Sequence, residues 1–200
     1  MFDKIKKFAE DNWYELLDYI PDNWDRYWDG IPSVTTILSL LKDKWLEYIK
    51  RNYPNQLKDA CVRWTKIHWD AEDYFNWDSK EIHSQIMKFH ILYDVQIINQ
   101  ETKIIKTVDW CTFQWTIDLT CSMNWAIKNI DYKSSKKKSK KYFIQCWWYK
   151  ILNWYDWWVL YLWEKSFELE LVPEWYDEIF LDLLRYFYYL LDNTNDNSNI

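Results

Sequence analysis

The sequence predicts an α/β fold in which a central mixed β-sheet is flanked by helices and preceded by an N-terminal helical region. Three observations carry this. Apolar residues recur at helical spacing through residues 1–90, short runs rich in β-branched residues fill 91–172 around one helical segment, and an amphipathic segment at 174–191 closes the chain. Each such element has one apolar face to bury, and helices before and after a set of strands bury theirs by packing as layers on the sheet. With 200 residues and 49 % hydrophobic content, the chain can fill the core of one domain. The expected domain is 1–192. Residues 193–200 are expected to be a disordered tail, because 193–199 hold Asn, Asp, Ser and Thr with almost no apolar content.

Taken in order, Ile5, Phe8, Ala9, Leu16 and Leu17 place a helix over 2–19, followed by a polar connector to Pro32. Ser33 can accept a backbone N–H of a first helical turn, so it caps a helix expected over 34–51. Pro54 opens a second long helix to about Phe75, and a short helix at 80–88 completes the helical half. Beyond His90 the residues at 91–98, 103–108, 112–121 and 126–132 read as a meander of short strands. A helix at 141–153, strands at 158–162 and 167–172, and the helix over 174–191 follow. There is no internal repeat and no linker long enough to divide the chain.

One glycine stands against 17 tryptophans. Ordinary composition, about 7 % Gly, gives roughly 14 glycines in a chain of this length. Tryptophan occupies places where the backbone asks for glycine. Asn124-Trp125 separates two strand-like runs, where a two-residue hairpin turn favours Asn-Gly because both residues take positive φ. Asp156-Trp157 and Leu162-Trp163 also read as turns, and Trp147 and Trp148 stand side by side in a helix. This is the pattern of a gene in which UGA encodes glycine, read with a table in which UGA encodes tryptophan. Trp45, in an amphipathic helix, fits its place as it stands.

No apolar stretch reaches the ~18 residues a membrane span needs, and residues 1–10 lack the apolar core of a signal peptide. A cytoplasmic protein without a membrane partner is expected. Cys61, Cys111, Cys121 and Cys146 form no C-x-x-C pair and no close Cys/His cluster, which argues for free buried thiols and against an iron–sulfur cluster. A net charge of −6 argues against indiscriminate nucleic-acid binding. Locally the balance reverses, since Lys136, Lys137, Lys138, Lys140 and Lys141 put five positive charges in six residues.

Chemistry concentrates on two adjacent strands. Asp118 lies in one, and Asp131 and Lys133, two residues apart and so on the same face, lie in the next. A hairpin at Asn124-Trp125 makes the strands antiparallel and brings Asp118 close to Asp131. Two carboxylates beside a lysine suit Mg²⁺, a hard cation that takes oxygen ligands. Such a metal acidifies bound water and polarises a phosphate, with Lys133 orienting the water or stabilising charge on phosphorus. Taken alone, D-x-K on a strand is more often a solvated ion pair.

Around these residues the chain resembles the PD-(D/E)XK nuclease superfamily, in the branch of RecB-like and phage-type exonucleases. The resemblance covers about 32–149. Its motifs appear in order as Ser33-Val34-Thr35, then Trp64-Thr65-Lys66-Ile67-His68 with Glu72 after it, then Trp115-Thr116-Ile117-Asp118, then Asp131-Tyr132-Lys133-Ser134, and finally Gln145 with Tyr149. In two of them the family's glycine is replaced by tryptophan, at Trp64 and Trp115, where an indole is expected to overpack by about 1–3 kcal/mol. The resemblance implies a restriction-endonuclease-like core and Mg²⁺- or Mn²⁺-dependent DNA hydrolysis. It implies that His68, Asp118, Asp131 and the backbone carbonyl of Tyr132 hold the metal, that Lys133 is the catalytic lysine, and that Gln145 and Tyr149 position lysine, water or DNA. Asp94 is a poor match to an extra acid that relatives carry on the first strand, and His83 and His90 match nothing.

The lysines at 136–141 are expected to form a flexible basic loop that meets the DNA backbone without reading sequence. Expected partners are DNA and either further copies of the chain or a recombination protein, in phage or bacterial recombination, repair or defence. Two other readings stand beside this one. A catalytically inactive nuclease-like DNA-binding or structural protein keeps the fold without the chemistry, and a platform built from the 21 % aromatic residues would bind carbohydrate or single-stranded nucleic acid.

Overall fold

The structure, a computed structural model, describes residues 2–21, 30–75, 84–134, 138–153, 155–163, 165–172 and 177–196. Helix α1 (Asp3–Asp11) is followed by strand β1 (Tyr14–Leu16), which pairs antiparallel with β2 (Leu41–Asp43). The single helices expected over 2–19 and 34–51 are therefore each interrupted by a short strand. Pairing wins because it buries Tyr14, Leu17, Leu40 and Leu41, with the Leu17 N–H donating to the Leu40 carbonyl at 2.9 Å. Between the strands, Ser33 caps α2 (Val34–Leu38) as expected, accepting the Thr36 N–H at 3.0 Å. After β2, Asp43 caps a new helix, α3 (Lys44–Asn52), by accepting the N–H groups of Trp45 and Leu46 at 2.9 and 3.1 Å. Helix α4 (Pro54–Phe75) matches its expected bounds; residues 80–83 of the next expected helix lie outside the described residues, and α5 (Ser84–Tyr93) runs on through 91–93, where a strand was expected to begin.

Five strands form the central sheet: β3 (Gln96–Val108), β4 (Cys111–Met123), β5 (Ala126–Lys133), β6 (Asp156–Leu162) and β7 (Phe167–Leu171), in that spatial order. All neighbours are antiparallel except β5 and β6, which are parallel and joined through helix α6 (Lys140–Asn153). The sheet is thus mixed, as expected. Where the sequence predicts two strands at 91–98 and 103–108, one strand runs through, because the polar residues Asn99, Gln100, Glu101 and Thr102 are carried in register against β4 after a shift at Ile97/Asn99. Helix α7 (Asp177–Asp196) continues past the expected boundary, so residues 193–196 belong to it rather than to a tail; the Asn193 side chain donates to the Tyr189 carbonyl at 2.6 Å. Residues 197–200 lie outside the described residues. Among the described residues, no helix is long and apolar enough to cross a membrane.

Two apolar clusters sandwich the sheet. One joins Ile5, Ile37, Phe113, Ile144, Val159 and Phe180, drawing on α1, α2, α6 and α7. The other joins Ile67, Ile86, Phe89, Leu119, Ile130 and Leu160 beneath α4 and α5. Along β4, Phe113, Trp115 and Ile117 belong to the first cluster and Leu119, Cys121 and Met123 to the second, so the division falls at Asp118.

Backbone angles bear on the tryptophans. The Met123↔Ala126 pair closes the expected two-residue hairpin, with φ of 50° at Asn124 and 68° at Trp125. Trp13, in the α1–β1 reversal, has φ of 63°. Both indoles project into solvent, 97 % exposed at Trp125 and 76 % at Trp13, so no packing offsets the strain. A second hairpin, closed by Val108↔Cys111, turns on Asp109-Trp110 with Asp109 at φ 55°. Trp163 lies in the β6–β7 turn, its N–H donating to the Ser166 carbonyl at 2.9 Å. One expectation is corrected: Trp157 is a fully buried residue inside β6, not a turn residue. The Trp115 indole lies in the core, stacked 5.6 Å from Phe113. The Trp147 and Trp148 side chains lie outside the described residues.

A left-handed L-residue costs about 1–2 kcal/mol relative to glycine, partly offset by the entropy that glycine loses on folding. Trp125→Gly and Trp13→Gly should therefore each raise the thermal midpoint by about 2–4 °C, whereas Trp45→Gly, inside α3, should lower it through helix propensity of about 1 kcal/mol. Thermal unfolding of the three variants followed by circular dichroism checks the opposite signs.

Candidate active site

The β4–β5 ladder pairs Leu119 with Ile130, and one step further along the register Asp118 faces Asp131. There the Asp118 carboxylate replaces the partner strand, accepting the Tyr132 N–H at 2.7 Å. The N–H and C=O of one strand residue point to the same side, so the Tyr132 carbonyl also turns toward the gap beside Asp118. Lys133, two residues beyond Asp131, returns to the same face, and its Nζ lies 2.5 Å from an Asp131 oxygen. From α6, Gln145 donates to the other Asp131 oxygen at 3.2 Å, and the Tyr142 ring covers the Lys133 ammonium at 5.1 Å. Asp131 thus has one oxygen hydrogen-bonded by Gln145 and the other, buried, ion-paired with Lys133.

The electrostatics follow from placing two acids and one base under cover. Burial, then the neighbouring Asp131 charge, pushes the Asp118 carboxyl well above its ordinary 3.8, against the pull of Lys133 and the Tyr132 N–H. Burial alone would lower the Lys133 ammonium, but Asp131 and Asp118 outweigh it and hold Lys133 above its ordinary range. Burial also raises the nearby Cys146 thiol well above its usual range, so it is inert as a nucleophile.

These groups open into a cavity of about 310 Å³. Ser33 and Thr35 at the start of α2, Trp64 on α4 and Lys103 on β3 complete its wall beside Asp118, Asp131, Lys133 and Gln145. Each of the five sequence motifs therefore contributes at least one residue to this place. Oxygen donors and uncompensated acid repulsion fit a hard divalent cation. Among the described side chains, however, no group of three His, Cys, Asp or Glu converges as a ready metal cage. His68 falls one turn after Trp64 on α4, but the side chains of His68, Glu72 and Tyr149 lie outside the described residues, as do Lys136, Lys137 and His83.

The described lysines of the run, Lys138, Lys140 and Lys141, do not share one loop. Lys138 is held by Glu168 and Glu170 at 2.5 and 2.9 Å, and Lys140 begins α6 and is exposed. Lys141 lies 5.3 Å from the Tyr14 ring, where burial pushes its ammonium down to about 8. Asp94 is an exposed turn residue at φ 46°, bonded by Gln96, away from the acids. The acid on β3 that bears on Asp118 is Glu101, set between the Gln100↔Leu119 and Thr102↔Ile117 pairs, and its charge adds to the upward shift of Asp118. Sequence reading missed Glu101 and Lys103; the signal was the polar stretch from Asn99 to Lys103 inside an otherwise strand-like run. His90, which matches no motif, shares a hydrogen bond with the Tyr74 hydroxyl at 2.8 Å. The four cysteines are free, with Cys61 exposed rather than buried.

No protein-family model matches the chain, and no curated protein matches it. Among solved structures it is similar to SSO0001, at a TM-score of 0.46 and 11 % identity over 96 % of this chain and 86 % of that one. A likeness at that level carries no functional argument.

Because native Asp118 binds its proton more tightly than the unfolded chain does, the metal-free protein loses stability as pH rises from about 3.8 toward the raised native value. Asp118→Asn keeps an oxygen to accept the Tyr132 N–H and removes the charge. It should raise the metal-free thermal midpoint at pH 7, with the difference from wild type shrinking as pH falls toward 4. An Asn variant less stable than wild type at pH 7 contradicts the buried-charge account.

Proposed function

We propose that this chain is a Mg²⁺- or Mn²⁺-dependent DNA nuclease of the PD-(D/E)XK kind, hydrolysing phosphodiester bonds from an end, in bacterial or phage recombination, repair or defence. The observation that carries the reading is the convergence of Asp118, Asp131, Lys133 and Gln145 from β4, β5 and α6 on one cavity. The metal would be held by Asp118, Asp131 and the Tyr132 carbonyl, with His68 as the further ligand that the motif order suggests. When bound, it supplies Lewis acidity toward the phosphate and acidifies water.

The chain's own residues do the rest. Gln145 fixes the Asp131 carboxylate by holding one oxygen. Lys133, kept protonated by its acidic neighbours, acts as a positioned cation that stabilises charge on a phosphoryl oxygen and orients water, not as a base. Lys103 in the cavity wall and Lys140 at the head of α6 add positive charge for the incoming backbone. Trp64, also in the wall, narrows the entrance that a glycine would leave open.

Linear duplex and single-stranded DNA incubated with the protein should be shortened in Mg²⁺ and left intact in EDTA. Lys133→Ala should slow single-turnover cleavage by about 10²-fold or more, as for loss of one charge-stabilising group, and Trp64→Gly should speed it. DNA binding without cleavage in either Mg²⁺ or Mn²⁺, by both the chain and Trp64→Gly, would instead identify an inactive nuclease-like binding protein.

A further inference from the structure

Helix α3 is unusual in having no buried residue. Its exposed surface is aromatic and ordered: Trp45 and Tyr48 stack at 5.5 Å with 23° between their planes, and Tyr53 follows 6.1 Å from Tyr48. The aromatic rings are half exposed, which a soluble surface rarely tolerates in a row without use. Tyr48 also lies in a second cavity, of about 360 Å³, with Lys42, Lys44, Arg51, Glu15 and Glu47. The two acids are engaged, Glu15 by Lys42 at 3.6 Å and Glu47 by Lys50 at 2.8 Å. Among the described residues, Lys44 and Arg51 have no carboxylate within ion-pair distance, and they flank Tyr48 one turn before and one turn after. In a chain of net charge −6, this is a local surplus of positive charge around stacked rings.

We infer that the α3 face is a stacking platform for single-stranded DNA, with bases on Tyr48 and Trp45 and phosphates on Lys44 and Arg51. A planar base with an adjacent phosphate matches a ring flanked by cations, and stacking accepts any base. A protein partner would be served by the apolar rings alone, without cations on both sides of Tyr48. The helix packs against α4, which carries Trp64 into the wall of the candidate active-site cavity. The inference rests on the nuclease reading for the identity of its ligand as DNA, and gives that site a strand-holding surface for its single-stranded substrate or product.

The test is fluorescence anisotropy of labelled dT15 and of a 15-base-pair blunt duplex in EDTA. Tyr48→Ala should weaken dT15 binding about tenfold, a typical effect of losing one stacked base, while Tyr48→Phe, which keeps the ring, stays within twofold of wild type. Arg51→Gln should weaken dT15 binding and flatten its salt dependence, and duplex affinity should change little in any variant. Equal dT15 affinity in wild type and Tyr48→Ala, or equal loss on duplex, overturns the platform. So does conversion of a dimer to a monomer by Tyr48→Ala in sedimentation, which would give the face to a second copy. Cleavage in Mg²⁺ and in Mn²⁺ is scored separately, on the wild type and on Trp64→Gly: its absence throughout beside Tyr48-dependent dT15 binding sinks the nuclease reading and supports the platform, and its presence beside Tyr48-independent binding sinks the platform alone.

Discussion

Two carboxylates pressed together under cover are the constraint around which the rest of this structure is arranged. Bringing Asp118 and Asp131 to adjacent positions costs burial and like-charge repulsion, and the fold offsets part of it with three fixed partners: the Tyr132 N–H, Lys133 and Gln145. None of these neutralises the pair. What remains is a standing preference for a proton on Asp118, or for a cation in its place. A site built for stability alone would more readily carry amides or apolar residues here, so the retained charge is the strongest sign of chemistry in the molecule.

The surrounding architecture can be traced to holding that pair. The two-residue turn at Asn124 and Trp125 sets the β4–β5 register. The parallel β5–β6 pair requires a crossover, and α6 supplies it while laying Gln145 and Tyr142 over the end of β5. Ser33 ties the start of α2 to β4, through an isolated bridge with Gln114, and so brings a third element to the cavity wall. β3 then presents Glu101 at the step across from Asp118 and Lys103 across from Thr116, in the cavity wall.

Much of this was legible in the sequence because the signals are local. Ser33 followed by an apolar run, Pro54 at a helix start, and period-two runs around Asn124-Trp125 each specify their own element. Asp118, Asp131 and Lys133 could be placed together once the hairpin was read, and Gln145 joined them only through the resemblance of its motif. The misreadings arise where tertiary pairing overrides local pattern. β1 and β2 are three residues each and carry no period of their own, so they vanish inside helical spacing. Glu101 looked like part of a loop because its neighbours are polar, yet β4 holds that stretch in register. Lys138 looked like a free cation because its partners, Glu168 and Glu170, are some thirty residues away on β7. The tryptophans mislead in both directions: positions 13 and 125 have the backbone of glycine, whereas Trp157 and Trp115 are filled into the core.

The account stands or falls on whether the Asp118–Asp131 pair is a cation site. The most direct measurement is calorimetric titration of the metal-free protein with Mn²⁺ at two pH values in buffers of different ionisation enthalpy. The account predicts one saturable site, proton release on binding as Asp118 gives up its proton, tighter binding at the higher pH, and loss of the site in Asp131→Asn. Absence of saturable binding, or a site that survives Asp131→Asn unchanged, would contradict it.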